Sequence, residues 1–178
     1  MNSKAKIFKD ILADSFMTSP EKDRVHEGVI KHKGFFDFKD TYNFLYNFLT
    51  EYEYKLLEKK YSEKIKPNGK EIEITWEARR WITDYFRFLV KVEFYIIGMK
   101  DEKEGNSGEI KIKITGYLEK DYEEKWESTP ITRFLRDVYE RYIIKRKMEK
   151  LEFRIIEEVD EAIAQLKSFL ALEGRRES

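Results

Sequence analysis

Few side chains in this sequence are equipped for chemistry. His26 and His32 are its two imidazoles, and it contains no cysteine. Disulfide scaffolds, thiolate zinc sites and cysteine nucleophiles are therefore excluded. The two histidines are an even number of residues apart, so they share one face of a regular strand. A metal site built on them would need carboxylates from elsewhere in the chain, and none is expected. A Ser-His-Asp triad would need a serine beside one of them, and no spacing supplies it. Asp121, Glu123 and Glu124 could exchange protons in principle. In a chain with 35 acidic residues they read instead as solvated charge. Neither a G-x-G-x-x-G nor a G-x-x-x-x-G-K-[ST] pattern occurs, so no phosphate cradle is indicated. Gly105-Asn106-Ser107-Gly108 reads as a hairpin loop, because no helix N-terminus follows it to complete an anion site. No catalytic residue and no cofactor are expected.

Two other groups of residues could bind. From Arg133 to Arg154 there are eight basic residues against four acidic ones. Arg141, Lys145, Arg146 and Lys147 are the anion-binding candidates in that run. It reads either as a patch facing a membrane or nucleic acid, or as a solvated helix face laced with i,i+4 ion pairs such as Asp137–Arg141. The second group is aromatic. Phe35, Phe36, Phe38, Tyr42, Phe44 and Phe48 crowd one region, and Trp76, Phe86, Phe88 and Phe94 punctuate another. They make either a well-filled core or the lining of an apolar cavity. Trp76, Phe86, Phe88 and Phe94, with Val138 and Tyr142, are the cavity candidates.

The composition limits the class of protein. The 178 residues carry 35 Lys+Arg and 35 Asp+Glu, a formal net charge of zero. A general nucleic-acid binder would show a basic excess. Aromatics at 15% argue against a disordered chain. A membrane span needs about 20 apolar residues in a row, and runs such as Phe94-Tyr95-Ile96-Ile97 are far shorter. Charges interrupt the N-terminal region too early for a secretory signal, so a cytoplasmic domain is expected. Lys and Glu dominate, and Gln165 is the only glutamine. That usage fits a thermophile or AT-rich codon bias equally.

The elements that must position these residues follow from periodicity. Ile7, Phe8, Ile11, Leu12 and Phe16 predict a helix over about 4–17, ended by Thr18-Ser19-Pro20. Val25, Val29 and Ile30 mark a strand over 24–33. Asp37 can cap a helix carrying Phe38, Tyr42, Leu45, Phe48, Leu49 and Tyr52 on one side. Leu57, Tyr61 and Ile65 are four apart, which suits a helix. However, Pro67-Asn68-Gly69 is a turn before a clear strand, so 54–65 is read as its hairpin partner. Three strands then alternate strictly: Ile72, Ile74, Trp76 and Ala78; Phe86 to Ile96; and Ile110, Ile112, Ile114 and Leu118. Glu71, Glu73, Glu77, Lys91, Lys111 and Lys113 take the other positions, predicting a sheet with one wet face held by cross-strand charge pairs. A helical pattern runs from about Pro130 to Leu172, roughly 60 Å if straight. Strands of typical length span only about 17–20 Å. Such a helix should break near 144–149, project, or lie against another chain. The stripe Leu151, Ile155, Val159, Ala162, Leu166 and Leu170 makes assembly through it a second functional option.

The expected fold is therefore one α+β domain over 1–178: an antiparallel sheet of four to five strands, one face covered by helices, including a long C-terminal helix. The order of strand, helical segment, antiparallel meander and long final helix is similar to that of helix-grip (START-like, polyketide-cyclase-like) domains over about residues 24–172. That resemblance implies a hydrophobic ligand or lipid held between sheet and helix, and it carries over no functional residue. The blocks Lys33-Gly34-Phe35-Phe36-Asp37-Phe38 and Gly116-Tyr117-Leu118-Glu119-Lys120-Asp121-Tyr122 resemble those of an archaeal protein family with no known activity. The functional expectation is a non-enzymatic binding module for a hydrophobic small molecule or lipid. A homo-oligomer and an anionic-surface binder are the alternatives.

Overall fold

The structure, a computed structural model, describes residues 22–103, 105–120, 131, 134, 138 and 145–174. The predicted N-terminal helix 4–17 lies outside the described residues, as do Arg141 and Tyr142. The elements are β1 (Lys22–Phe36), α1 (Phe38–Glu51), β2 (Lys55–Lys66), β3 (Gly69–Trp81), β4 (Phe86–Glu102), β5 (Gly105–Lys120) and α2 (Lys145–Glu173). The five strands form one antiparallel sheet in the order β1-β5-β4-β3-β2. The α+β architecture with a long C-terminal helix is thus the one expected.

Strict alternation placed the core correctly. Ile72, Ile74, Trp76 and Ala78 on β3, Phe86 to Ile96 on β4 and Ile110, Ile112, Ile114 and Leu118 on β5 all turn to one face and are buried. Asp37 caps α1 by accepting from the Asp40 amide at 2.9 Å. The segment after Tyr54 is a strand, paired with β3 from Lys55↔Arg79 to Lys66↔Gly69.

Three expectations need correction. First, the strands run to 12–17 residues, about 40–55 Å at 3.3 Å each. The 29-residue α2 spans about 43 Å, so the sheet is long enough to seat it. Leu151, Ile155, Val159, Ala162, Leu166 and Leu170 are buried within this chain, and the stretch 139–144, next to the expected break, lies outside the described residues. Second, Gly105–Gly108 is not a loop. It opens β5, with Gly105 opposite Glu102 and Asn106 opposite Asp101 and Phe36. The Asn106 amide donates to Asp101 Oδ1 at 3.1 Å and its carbonyl accepts from the Phe38 amide at 3.2 Å, so the turn residues are used to join β4 to the start of α1. Third, the outer face is only partly wet: Leu89, Thr115 and Glu119 lie on it and are at most 3% exposed. Its charges form the expected cross-strand pairs. Glu71 and Glu73 reach toward β2, to Lys66 and Lys60 at 2.7 Å each, and Lys113 reaches toward β1, to Glu27 at 3.0 Å.

Close seating of α2 rests on Gly116, beneath Ile155 and Val159, and most tightly on Gly28. A Cβ built on Gly28 would stand 2.0 Å from Ile163 Cδ1. Gly28→Ala is therefore expected to cost about 1–3 kcal/mol by overpacking, read as a fall in the urea midpoint. Ile163→Val removes the clashing methyl, and in the Gly28→Ala background it should restore part of the loss. An unchanged midpoint in Gly28→Ala would refute this seating.

Candidate functional site

The cavity candidates divide when placed on the fold. Trp76, Phe86, Phe88 and Phe94 come together on the inner face and are at most 1% exposed. Tyr42 of α1 closes over them: its ring meets Trp76 edge-on at 4.5 Å, and Trp76 meets Phe94 at 4.8 Å. The Tyr42 hydroxyl and the Trp76 Nε1 both donate to Glu58 Oε2, at 3.1 and 3.4 Å. These rings fill space between sheet and helix, in the T-shaped contacts aromatic cores favour. Val138 is 37% exposed and does not join them.

An apolar concavity lies between the helices. Phe44 of α1 stacks on Phe169 of α2, with ring centroids 5.0 Å apart. Beside this pair is an open groove of about 410 Å³ lined by Phe44, Ala164, Gln165, Ser168, Phe169 and Leu172. Leu172 is 62% exposed. Neither phenylalanine belongs to its helix's core stripe. An aromatic out of register on each of two helices was the available signal, and stripe reasoning passes over it.

The strongest polar arrangement on the inner face was also missed. Arg80 continues the buried register of β3 and meets Glu158 of α2 at 2.5 Å. It donates to the Tyr52 carbonyl at 2.7 Å, and its guanidinium lies over the rings of Tyr54 and Phe88. The other Glu158 oxygen accepts from the Tyr54 hydroxyl at 2.7 Å, and Arg154 adds a second cation at 3.1 Å. Burial, reinforced by the Glu158 charge, pushes the Tyr54 phenol far up. The hydrogen bond to Glu161 pushes Tyr52 up to about 12. Both tyrosines therefore stay protonated donors at any physiological pH. The cluster joins α2 to the end of α1 and to the sheet, and its groups already bond one another.

The remaining candidates do not converge. His26 bonds Asp160 at 2.7 Å and His32 bonds the Phe35 carbonyl at 2.8 Å. Among the described residues no three His, Asp or Glu side chains gather as a metal site. Lys145, Arg146 and Lys147 are exposed on the first turn of α2, which holds no acidic residue. No helix among the described residues is long and apolar enough to cross a membrane.

Comparison with protein-family models and with curated proteins gives no match. Among solved structures, the chain is similar to the di-domain ARO/CYC StfQ from the steffimycin biosynthetic pathway, at 12% identity and a TM-score of 0.17. The match covers 78% of this chain and 51% of that one, so the chain spans about half its length. A TM-score of 0.17 gives this likeness no weight for fold or chemistry.

Proposed function

We propose that the protein is a non-enzymatic binding module that holds a hydrophobic small molecule or lipid in the groove between α1 and α2. The observation that carries this reading is the groove itself, about 410 Å³ with Phe44 and Phe169 stacked at its wall. Ligand sites are typically about 300–1,000 Å³, mostly apolar, with a few polar groups that set orientation. Here Gln165 and Ser168 are those groups. This reading puts the ligand between the two helices, whereas the sequence suggests a place between the sheet and the C-terminal helix.

Native mass spectrometry of gently purified protein should retain a small molecule. Titration with anilinonaphthalene sulfonate should show one saturable site. Ala164→Trp, which fills the groove from an exposed helix position, should weaken that binding by about tenfold or more, the loss of one well-buried apolar contact. Dye binding that is non-saturable, or indifferent to Ala164→Trp, would reject the groove as a site.

A further inference from the structure

The edge strand β2 offers a different surface. It lies last in the order β1-β5-β4-β3-β2, so among the described residues no strand pairs with its outer side. Ten of its 12 residues are exposed, and Leu57, Tyr61 and Ile65 are each at least half exposed. An edge strand presents unpaired backbone N–H and C=O groups, a template for another strand. Lysines ordinarily keep such edges apart, and β2 carries five of them with two glutamates. Their order, however, opposes every symmetric pairing but one.

Two copies pairing antiparallel through β2 are related by a twofold axis normal to the sheet. The axis passes through one residue of the strand, because opposite residues share a face and neighbours along a strand do not. At Glu58, Lys59, Lys60, Glu63 or Lys64, that residue would meet its own like charge. At Leu57, Ser62 or Ile65, the axis would set Lys55 on Lys59, Lys60 on Lys64 or Lys64 on Lys66. At Tyr61, it sets Tyr61 on Tyr61, and twice over it sets Lys60 on Ser62 and Lys59 on Glu63. The register shift between Glu58 and Lys60 leaves Lys59 without an opposite residue on β3, and its tie to Glu77 is long at 3.8 Å. Past that shift, Ile65 of one copy meets Leu56 or Leu57 of the other, an apolar contact either way.

From this complementarity we infer that β2 pairs with β2 of a second copy about a twofold axis at Tyr61, joining two five-stranded sheets edge to edge. Pairing of identical edges is isologous and closes as a dimer. An extended peptide of another protein would use the same backbone groups, but it would leave the match of Lys59 to Glu63 and of Ile65 to Leu56–Leu57 unexplained. The edge shares no residue with the α1–α2 groove, so the two readings fail separately.

Sedimentation velocity of the full chain at rising concentration should show a reversible monomer–dimer equilibrium. Glu63→Lys sets lysine on Lys59 twice and should weaken the dimer about tenfold or more. Lys59→Glu should do the same with two glutamates. The double variant Lys59→Glu/Glu63→Lys restores opposite charges and should dimerise within about threefold of wild type. Both positions are exposed, and far-UV circular dichroism verifies that the fold persists. The register has its own readout, since the chain contains no cysteine. Tyr61→Cys should form an intermolecular disulfide on mild oxidation, because directly opposite Cα atoms stand about 4.5–5.5 Å apart. Ser62→Cys should not, because its two copies lie diagonally, about 7–8 Å apart and beyond disulfide reach. The inference is overturned by a chain that stays monomeric, whether or not a foreign extended peptide binds it. It is equally overturned by a dimer indifferent to the single charge reversals, by a double variant no better than the single ones, or by equal cross-linking of the two cysteine variants.

Discussion

Glu158→Leu is expected to unfold at a markedly lower urea concentration than wild type, and to cost more than Arg80→Met. Both break a buried ion pair, whose loss on one side costs about 3–5 kcal/mol because a charge is left uncompensated. The surroundings decide the order. Without Arg80, Glu158 keeps the Tyr54 hydroxyl at 2.7 Å and Arg154 at 3.1 Å, and Arg154 is half exposed and can adjust. Arg80→Met should therefore fall near the lower end, about 3 kcal/mol. Without Glu158, Arg80 keeps only the Tyr52 carbonyl and the faces of Tyr54 and Phe88. Its Nε already lacks a hydrogen-bond partner. Glu158→Leu should approach the upper end, about 5 kcal/mol. The double variant Arg80→Met/Glu158→Leu should be more stable than Glu158→Leu alone, since apolar replacement of a whole buried pair is often neutral. Urea midpoints at constant slope measure all three. If Arg80→Met proves the costlier single change, the view that Arg154 backs up Glu158 is wrong.

The same pair shows what a single sequence reveals. Arg80 sits at the next alternating position after Ile72, Ile74, Trp76 and Ala78, so a charge on the apolar face was visible in the pattern. Its partner was not, since Glu158 lies 78 residues away in a segment dense with Glu. Local period gives faces; it gives no pairing between distant elements. β2 illustrates the converse. Leu57, Tyr61 and Ile65 keep a helical spacing within a strand because none of them is core: they are 52%, 54% and 84% exposed. The register shift between Glu58 and Lys60 leaves Leu57 opposite Glu77 but Tyr61 opposite Ile74. The hairpin turn at Pro67-Asn68-Gly69 identified the strand where periodicity misled. The strand lengths were not legible, because an average stood in for strands that extend to 17 residues, and the described helix Lys145–Glu173 covers the later part of the 130–172 pattern. The aromatic set was legible as a set. Which members close the core and which line an opening depended on where Tyr42 and Phe44 project from α1.

Trp76→Ala separates those two roles. Trp76 is fully buried, central to the sheet, and held by Tyr42, Phe94 and Glu58. Truncating such a side chain costs about 3–5 kcal/mol, transfer and cavity contributions combined. The expected result is a large fall in the urea midpoint with anilinonaphthalene sulfonate affinity at the α1–α2 groove unchanged under conditions where the variant remains folded. Phe169→Ala should do the reverse: it leaves a half-buried position on a helix surface, so stability changes little, while the groove loses half of its stacked wall and dye affinity drops. Had Trp76 lined a ligand cavity, its truncation would instead weaken ligand retention at modest cost in stability, because a side chain facing an opening forfeits fewer contacts than one enclosed on every side. A small stability loss together with loss of dye binding in Trp76→Ala would return the ligand site to the space between sheet and helix. The opposite pairing of results places the tryptophan in the core and leaves the groove beside Phe44 and Phe169 as the place where an apolar ligand is held.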